Sequence, residues 1–209
     1  MNDRTQPLIA IDVVPIAYSP VVLDLLIGTA VRQFDPFQGE QALPGVLLGS
    51  GETLEDAAYR ALRDKTGILK IRVRHLLQIG AFDGPLRDPR DKAISIAFLA
   101  VIEPHPSPSA RWRDWTDDTK LPFDHDRILA TAKHVARTRL WTDEPFTRAL
   151  TGELFTSRDA ATIEETLTGK KPEPGNLHRM LTKKGHLTEA GKGTSATTGG
   201  RPATAWKWN

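Results

Sequence analysis

The stretch GETLEDAAYRALRDKTGI, Gly51 to Ile68, decides how the rest of the chain is read. Behind Gly51-Glu52 comes an alanine-rich run with Ala57, Ala58, Ala61 and Leu62 at helical spacing, and Thr66-Gly67 stops it before an aliphatic residue. This predicts a helix from about Thr53 to Lys65. Residues at i, i+3 and i+4 share a helix face, so Ala61, Asp64 and Lys65 are expected to point into one site. The plainer reading is an amphipathic helix whose Ala57, Ala58, Ala61 and Leu62 face a core.

Around this helix the first half alternates strands and helices. PLIAIDVVPIAY and VVLDLLIGTAV are rich in Val, Ile and Leu and read as strands, with Asp12 and Asp24 interrupting the apolar pattern. FDPFQGEQALPG is a Gly/Pro-punctuated loop, VRHLLQIGAFD and KAISIAFLAVIE are further strands, and PHPSPSARWRD is a loop by its prolines. DHDRILATAKHVARTRLW places Ile128, Leu129, Ala132, Val135, Ala136 and Leu140 on one helical face and closes the first unit, residues 1–142.

The character changes over residues 143–209. A short helix is followed by a second one, capped by Thr156 or Ser157 and ended by Gly169. KKPEPG reads as non-helical because Pro172 and Pro174 each remove a donor. A short basic helix follows over 176–184, capped by Asn176 and stopped by Gly185, with Leu177, Met180 and Leu181 inward. A Gly/Thr-rich hairpin ends the chain, and Trp206 and Trp208 share one of its faces. Helix, helix, turn, basic helix and hairpin is the order of a winged helix-turn-helix.

Composition narrows the function classes. With 39% hydrophobic residues a sizeable core is available, and no run approaches the roughly 18 apolar residues of a membrane span. The chain has no cysteine, which excludes disulfides and thiolate chemistry. MNDRTQPLIAIDVV lacks the basic and hydrophobic regions of a signal peptide, so a cytoplasmic location is expected. Residues 168–209 carry eight basic side chains against Glu173 and Glu189, which points to an anionic partner or to a solvated face.

In register, the helix and its flanks resemble the Nudix box, G-x5-E-x7-R-E-U-x-E-E-x-G-U with U aliphatic. Glu52, Arg60, Leu62, Gly67 and Ile68 match it, ALPGVLLGSGE matches its approach, and Val46, Ala61, Asp64 and Lys65 depart from it. The resemblance implies a Nudix-like α/β/α sandwich with a mixed sheet, in which Glu52 and Arg60 pair to hold loop against helix. A hydrolytic Nudix site binds Mg²⁺ or Mn²⁺ through glutamate oxygens on this helix. Ala61 supplies no oxygen and Lys65 adds a positive charge, so the box is expected to be degenerate, with no catalytic residue and no metal.

Three more stretches narrow the likeness: FDGPLRDPRDKAISIAFLAVI, LPFDHDRILATA, and a tail with GNLHRML, GHL and GRPATAWKW. Together they resemble the Nudix-related transcriptional regulator (NrtR) family over about residues 8–208. The resemblance implies a repressor of NAD synthesis or salvage genes that senses ADP-ribose or a related NAD-type nucleotide, requires no cofactor and works as a homodimer on a palindromic DNA operator. Arg32, Phe34, Phe82, Arg87 and Arg90 flank the box helix and are candidates for the nucleotide: cations for phosphates and aromatic faces for a base. Arg87-Asp88-Pro89-Arg90 reads either as a clamp on diphosphate or ribose, or as a turn folded on itself. Asp124-His125 reads as a helix cap whose histidine packs at an interface. Asn176, His178, Arg179, Lys183, Lys184 and Arg201 are the candidate DNA contacts, Arg suited to guanine, Asn to adenine and Lys to phosphate. The alternative is an active hydrolase of ADP-ribose or another nucleoside diphosphate derivative, with an accessory nucleic-acid-binding tail.

Overall fold

A computed structural model describes residues 6–84, 87–89, 92–104, 107, 109–193 and 202–209. Its centre is a mixed sheet. β1 (Leu8–Ser19) runs antiparallel to β2 (Asp24–Val31), whose far edge is extended by β3 (Gln41–Ala42), while β4 (Gly45–Leu47) pairs with the first half of β1. After α1 (Leu54–Thr66) come β5 (Val73–Phe82) and β6 (Ala93–Ile102); β6 lies parallel to β1 and antiparallel to β5. β7 (Ala110–Asp114) pairs with β2. Sequence placed β7 in a proline loop; its Ala-Arg-Trp-Arg pattern becomes a strand only because the edge of β2 offers it a ladder. β3 and β4 arise the same way at the end of the Gly/Pro-rich loop.

Strand alternation sorts the two faces. Ile11, Val13 and Ala17 of β1 join Phe98, Ala100 and Ile102 of β6 against Ala57, Ala58, Ala61 and Leu62 of α1. Val14, Ile16 and Tyr18 with Ala97, Leu99 and Val101 take the opposite face, against Ile128, Leu129, Ala132 and Ala136 of α2 (His125–Arg139). Asp12 and Ser95 fall on this second face by the same parity, both buried. The central strands are apolar on both sides because helices cover both, the α/β/α arrangement expected. α1 begins at the Thr53 cap, whose side chain accepts from Asp56 N–H, and ends at Gly67 in the left-handed region.

Beyond α2 come α3 (Glu144–Thr151), β8 (Leu154–Thr156), α4 (Ser157–Thr168), α5 (Pro174–Lys183), β9 (Leu187–Gly193) and β10 (Ala203–Trp208). β8, β10 and β9 form a small antiparallel sheet. Thr156 is the α4 cap, in a full capping box with Asp159. α5 starts two residues earlier than expected: Glu173 is the cap, accepting from Gly175 and Asn176 N–H, so Asn176 lies inside the helix. Proline at the first helical position removes only an N–H that has no intrahelical partner, so Pro174 begins the helix instead of preventing it. Trp206 and Trp208 are buried with Phe155, Leu177, Leu181 and Leu187, as their shared face implied.

Packing crosses the expected division at residue 142. Phe146, Ala149 and Leu150 of α3 and Ile163 and Leu167 of α4 are buried in the same core as α2 and the large sheet. Ala160, a turn earlier on α4, belongs to the tail core. No helix among the described residues is long and apolar enough to cross a membrane.

Candidate functional site

A cleft of about 490 Å³ opens where the N-terminal half of β1, the end of β2, β4, the last turn of α1 and the start of α2 meet. Its floor is a buried polar network. Arg87 Nη2 donates to Asp12 Oδ2 at 2.8 Å, Ser95 Oγ donates to the same oxygen at 2.6 Å, and Arg87 Nε lies 3.1 Å from Asp124 Oδ1. Leu43 N–H donates to His125 Nδ1 at 3.1 Å, which puts the ring proton on Nε2, 3.7 Å from Asp12 Oδ1. Burial holds the His125 pKa below its ordinary value, against the opposing pull of the Asp12 carboxylate, so the ring is neutral near pH 7. Gly45 makes this floor possible, since a Cβ there would lie 2.2 Å from Asp12 Oδ1.

The mouth is aromatic and cationic. Phe34 is 72% exposed beside the cleft. Arg32 Nε donates to Pro36 O at 2.7 Å and Nη2 to Phe34 O at 3.2 Å, which fixes its guanidinium 4.7 Å above the Phe123 ring. Phe37 meets Phe123 edge-on at 4.9 Å. Arg32, Phe34 and Arg87 thus all line the cleft. Phe82 does not: it is buried in the core with the Arg127 guanidinium 5.4 Å from its ring centroid. Arg90 lies outside the described residues. Phe123, His125, Asp12, Ser95 and Leu43 complete the site without having been assigned to it. Their one advance signal was Asp12, an acid inside a strand otherwise apolar on both faces.

The box helix divides its residues. Glu52 accepts from Arg60 Nε at 3.0 Å and from Gly49 N–H, and Arg60 Nη2 reaches Leu47 O at 2.7 Å, the expected clasp of loop to helix. Those hydrogen bonds from Arg60, with that of Gly49, hold the Glu52 carboxyl below the usual range. Ala61 is wholly buried against the sheet and does not reach the cleft, contrary to the shared-face expectation. The helix turns it inward with Leu62, so Asp64 and Lys65 alone line the cleft from this helix. Asp64 Oδ1 is 2.8 Å from Arg63 Nε.

The tail presents a second surface. On α5, Asn176, His178, Arg179 and Lys183 are exposed, and Arg179 Nη1 donates to Asn176 Oδ1 at 2.9 Å. His178 Nε2 lies 3.5 Å from Glu189 Oε1 and its ring 5.4 Å from that of Trp206, tying it to the hairpin. Lys184 departs from its expected role: half-buried, it donates to the carbonyl of Trp141 and fastens α5 to the end of α2. Arg201 lies outside the described residues. Tail and sheet are also joined by a buried bond, Tyr18 OH to Asp159 Oδ1 at 2.8 Å.

A family model described as the NUDIX domain matches residues 29–142. An ADP-ribose pyrophosphatase of Methanocaldococcus jannaschii is 36% identical over 104 residues, 47% of this chain; the chain covers 60% of that relative's length. The solved structure of Shewanella oneidensis NrtR with a 27mer DNA is similar over 96% of this chain and 93% of that one, with a TM-score of 0.79 and 21% identity. The NUDIX domain of the same NrtR with ADP ribose covers 63% of this chain and 89% of its own, with a TM-score of 0.56 and 22% identity. At these identities the two structures establish a shared fold.

Proposed function

The chain belongs to the Nudix family, and from that footing we propose that it is a DNA-binding transcriptional regulator, a repressor of NAD synthesis or salvage genes whose Nudix-like half senses ADP-ribose or a related nucleotide. The observation that carries this reading is the second surface. After the Nudix-like sheet the chain adds helix, strand, helix, helix and hairpin, the winged helix-turn-helix order, with Asn176, Arg179 and Lys183 exposed on its third helix. The likeness to a NrtR bound to DNA extends over this tail as well as the sheet, which supports the same reading. Residues 1–142 are assigned to effector binding and dimerisation and residues 143–209 to DNA.

In this reading Phe34 and Phe123 offer faces for a base, and Arg32 and Lys65 offer charge for phosphates. Arg87 is buried and bound to two aspartates, so it shapes the floor and is not a clamp on phosphate. The donor set does not suit a hard divalent cation. Glu52 is occupied by Arg60 and Gly49, Ala61 has no oxygen, Asp64 faces Arg63, and Lys65 is itself a cation. One small domain makes few base contacts, so a homodimer on a palindromic operator is proposed.

The test is fluorescence anisotropy of the full chain on DNA from upstream of its own gene and of NAD-metabolism genes, at two salt concentrations, with and without ADP-ribose. Selective binding that ADP-ribose weakens and that Arg179→Ala also weakens supports the regulator. Equal binding to unrelated DNA sinks it. The pyrophosphatase relative favours one second reading, hydrolysis of ADP-ribose. Conversion of ADP-ribose to AMP and ribose 5-phosphate with Mg²⁺ or Mn²⁺ that disappears on Asp64→Ala would establish it.

A further inference from the structure

This inference rests on the effector reading above and concerns how the cleft holds an anion. A diphosphate carries its charge on oxygens that need a cation beside them, a metal ion or a side chain. Among the described residues, three basic side chains line the cleft: Arg32, Lys65 and Arg87. Arg87 is committed to Asp12 and Asp124 in the floor. Arg32 is bound to two loop carbonyls and stacked on Phe123. Lys65, in the last turn of α1, is exposed, and among the described residues it forms no ion pair. Of the three aspartates that line the cleft, Asp64 is held by Arg63 and Asp12 by Arg87 and Ser95, and Asp88 is the third.

We infer that Lys65 takes the place of a divalent metal in this cleft: its ammonium binds the phosphate oxygens of a nucleoside diphosphate, and effector binding is independent of metal. An ammonium on a flexible four-carbon stem supplies three donors and one compact charge, enough to follow a diphosphate across an open cleft. Its position at the C-terminal end of α1 also suits the helix dipole, so the side chain is tolerated without a ligand.

Calorimetric titration of the full-length protein with ADP-ribose, in EDTA and in Mg²⁺, tests this with wild type, Lys65→Gln and Lys65→Arg. Wild-type affinity is expected to be equal in the two buffers and to fall with added salt. Lys65→Gln is expected to bind about tenfold more weakly with a flatter salt dependence, the loss of one charge-assisted contact. Lys65→Arg retains most of the affinity. Unchanged melting temperatures show that the exposed substitutions leave the fold intact. Binding by Lys65→Gln within about twofold of wild type, or wild-type binding that requires Mg²⁺, overturns the inference and leaves the effector reading standing. No wild-type binding in either buffer removes the effector reading and the inference with it.

Discussion

Tyr18→Phe removes one oxygen and isolates the bond between the sheet and the tail. Tyr18 OH donates to Asp159 Oδ1 at 2.8 Å with both residues buried. Asp159 Oδ2 keeps its donors from Thr156, the backbone N–H at 2.8 Å and the hydroxyl at 2.7 Å, so the capping box survives the substitution. Oδ1 loses this donor in a place water does not readily reach. A hydrogen bond to a charged group contributes about 1.5–3 kcal/mol. For a chain of this size each kcal/mol moves the melting temperature by roughly 2–4 °C, so a fall of about 3–12 °C is expected. The matched control is Tyr59→Phe, whose half-buried ring lies beneath Lys70. It should shift stability by no more than about 0.5 kcal/mol.

The same bond makes a prediction in pH. Burial, and after it the Asp159 charge, raise the Tyr18 pKa far above its ordinary value of 10.0. The folded state therefore favours the protonated phenol; the contribution is complete below about pH 10 and declines above it as the unfolded chain ionises. Thermal melts of both phenylalanine variants at neutral pH and above pH 10 read both effects. If Tyr18→Phe melts with Tyr59→Phe, the bond does not hold the tail and the reasoning fails.

Gly45→Ala should destabilise by about 1–3 kcal/mol by overpacking, since its Cβ would meet an Asp12 carboxylate held by Arg87 and Ser95; chemical denaturation reads the change. His125 has a pKa lowered by burial, so its contribution is present above its ordinary 6.5 and lost as pH falls. Wild type should therefore lose up to about 1.4 kcal/mol per pH unit of acidification relative to His125→Gln, measured by melts at stepped pH. Phe146→Ala should cost about 3–5 kcal/mol, because α3 is part of the main core, and denaturant midpoints will show it. Arg179→Ala should weaken operator binding by about 1–3 kcal/mol in anisotropy titrations, against little change in melting temperature, since the side chain is exposed.

The elements legible in the sequence were those with local causes. The box helix has its Thr53 cap, its inward alanines and its Gly67 stop within thirteen residues plus their flanks, and it forms over Leu54–Thr66. α4 carries its capping box and terminal glycine in the same way. β7 was hidden because its cause is distant: the ladder from β2 turns a proline-flanked segment into a strand. Pro174 misled for a local reason, because the same missing N–H that breaks a helix interior is harmless at its first position. In the site, Arg32 and Phe34 stood close to a recognisable helix. The floor joins positions 12, 43, 87, 95, 124 and 125, drawn from four separate stretches of the chain.

The proposed division of labour at residue 142 is not that of two modules on a linker. α4 buries Ile163 and Leu167 against the main core and Ala160 in the tail core, so the tail cannot swing away without exposing apolar surface on both sides. β1 touches both halves: Asp12 lies in the cleft floor and Tyr18 meets the α4 capping box, about 20 Å further along at roughly 3.3 Å per residue. An effector changes DNA affinity only through unequal affinity for two arrangements of the protein, and about 1–3 kcal/mol is sufficient. The Tyr18–Asp159 bond lies within that range and joins the strand under the cleft to the helix before α5. A regulator built this way should lose part of its ADP-ribose response in Tyr18→Phe while both ligands still bind. Equal ADP-ribose affinity with and without operator DNA in wild type would show that the two sites are not coupled at all.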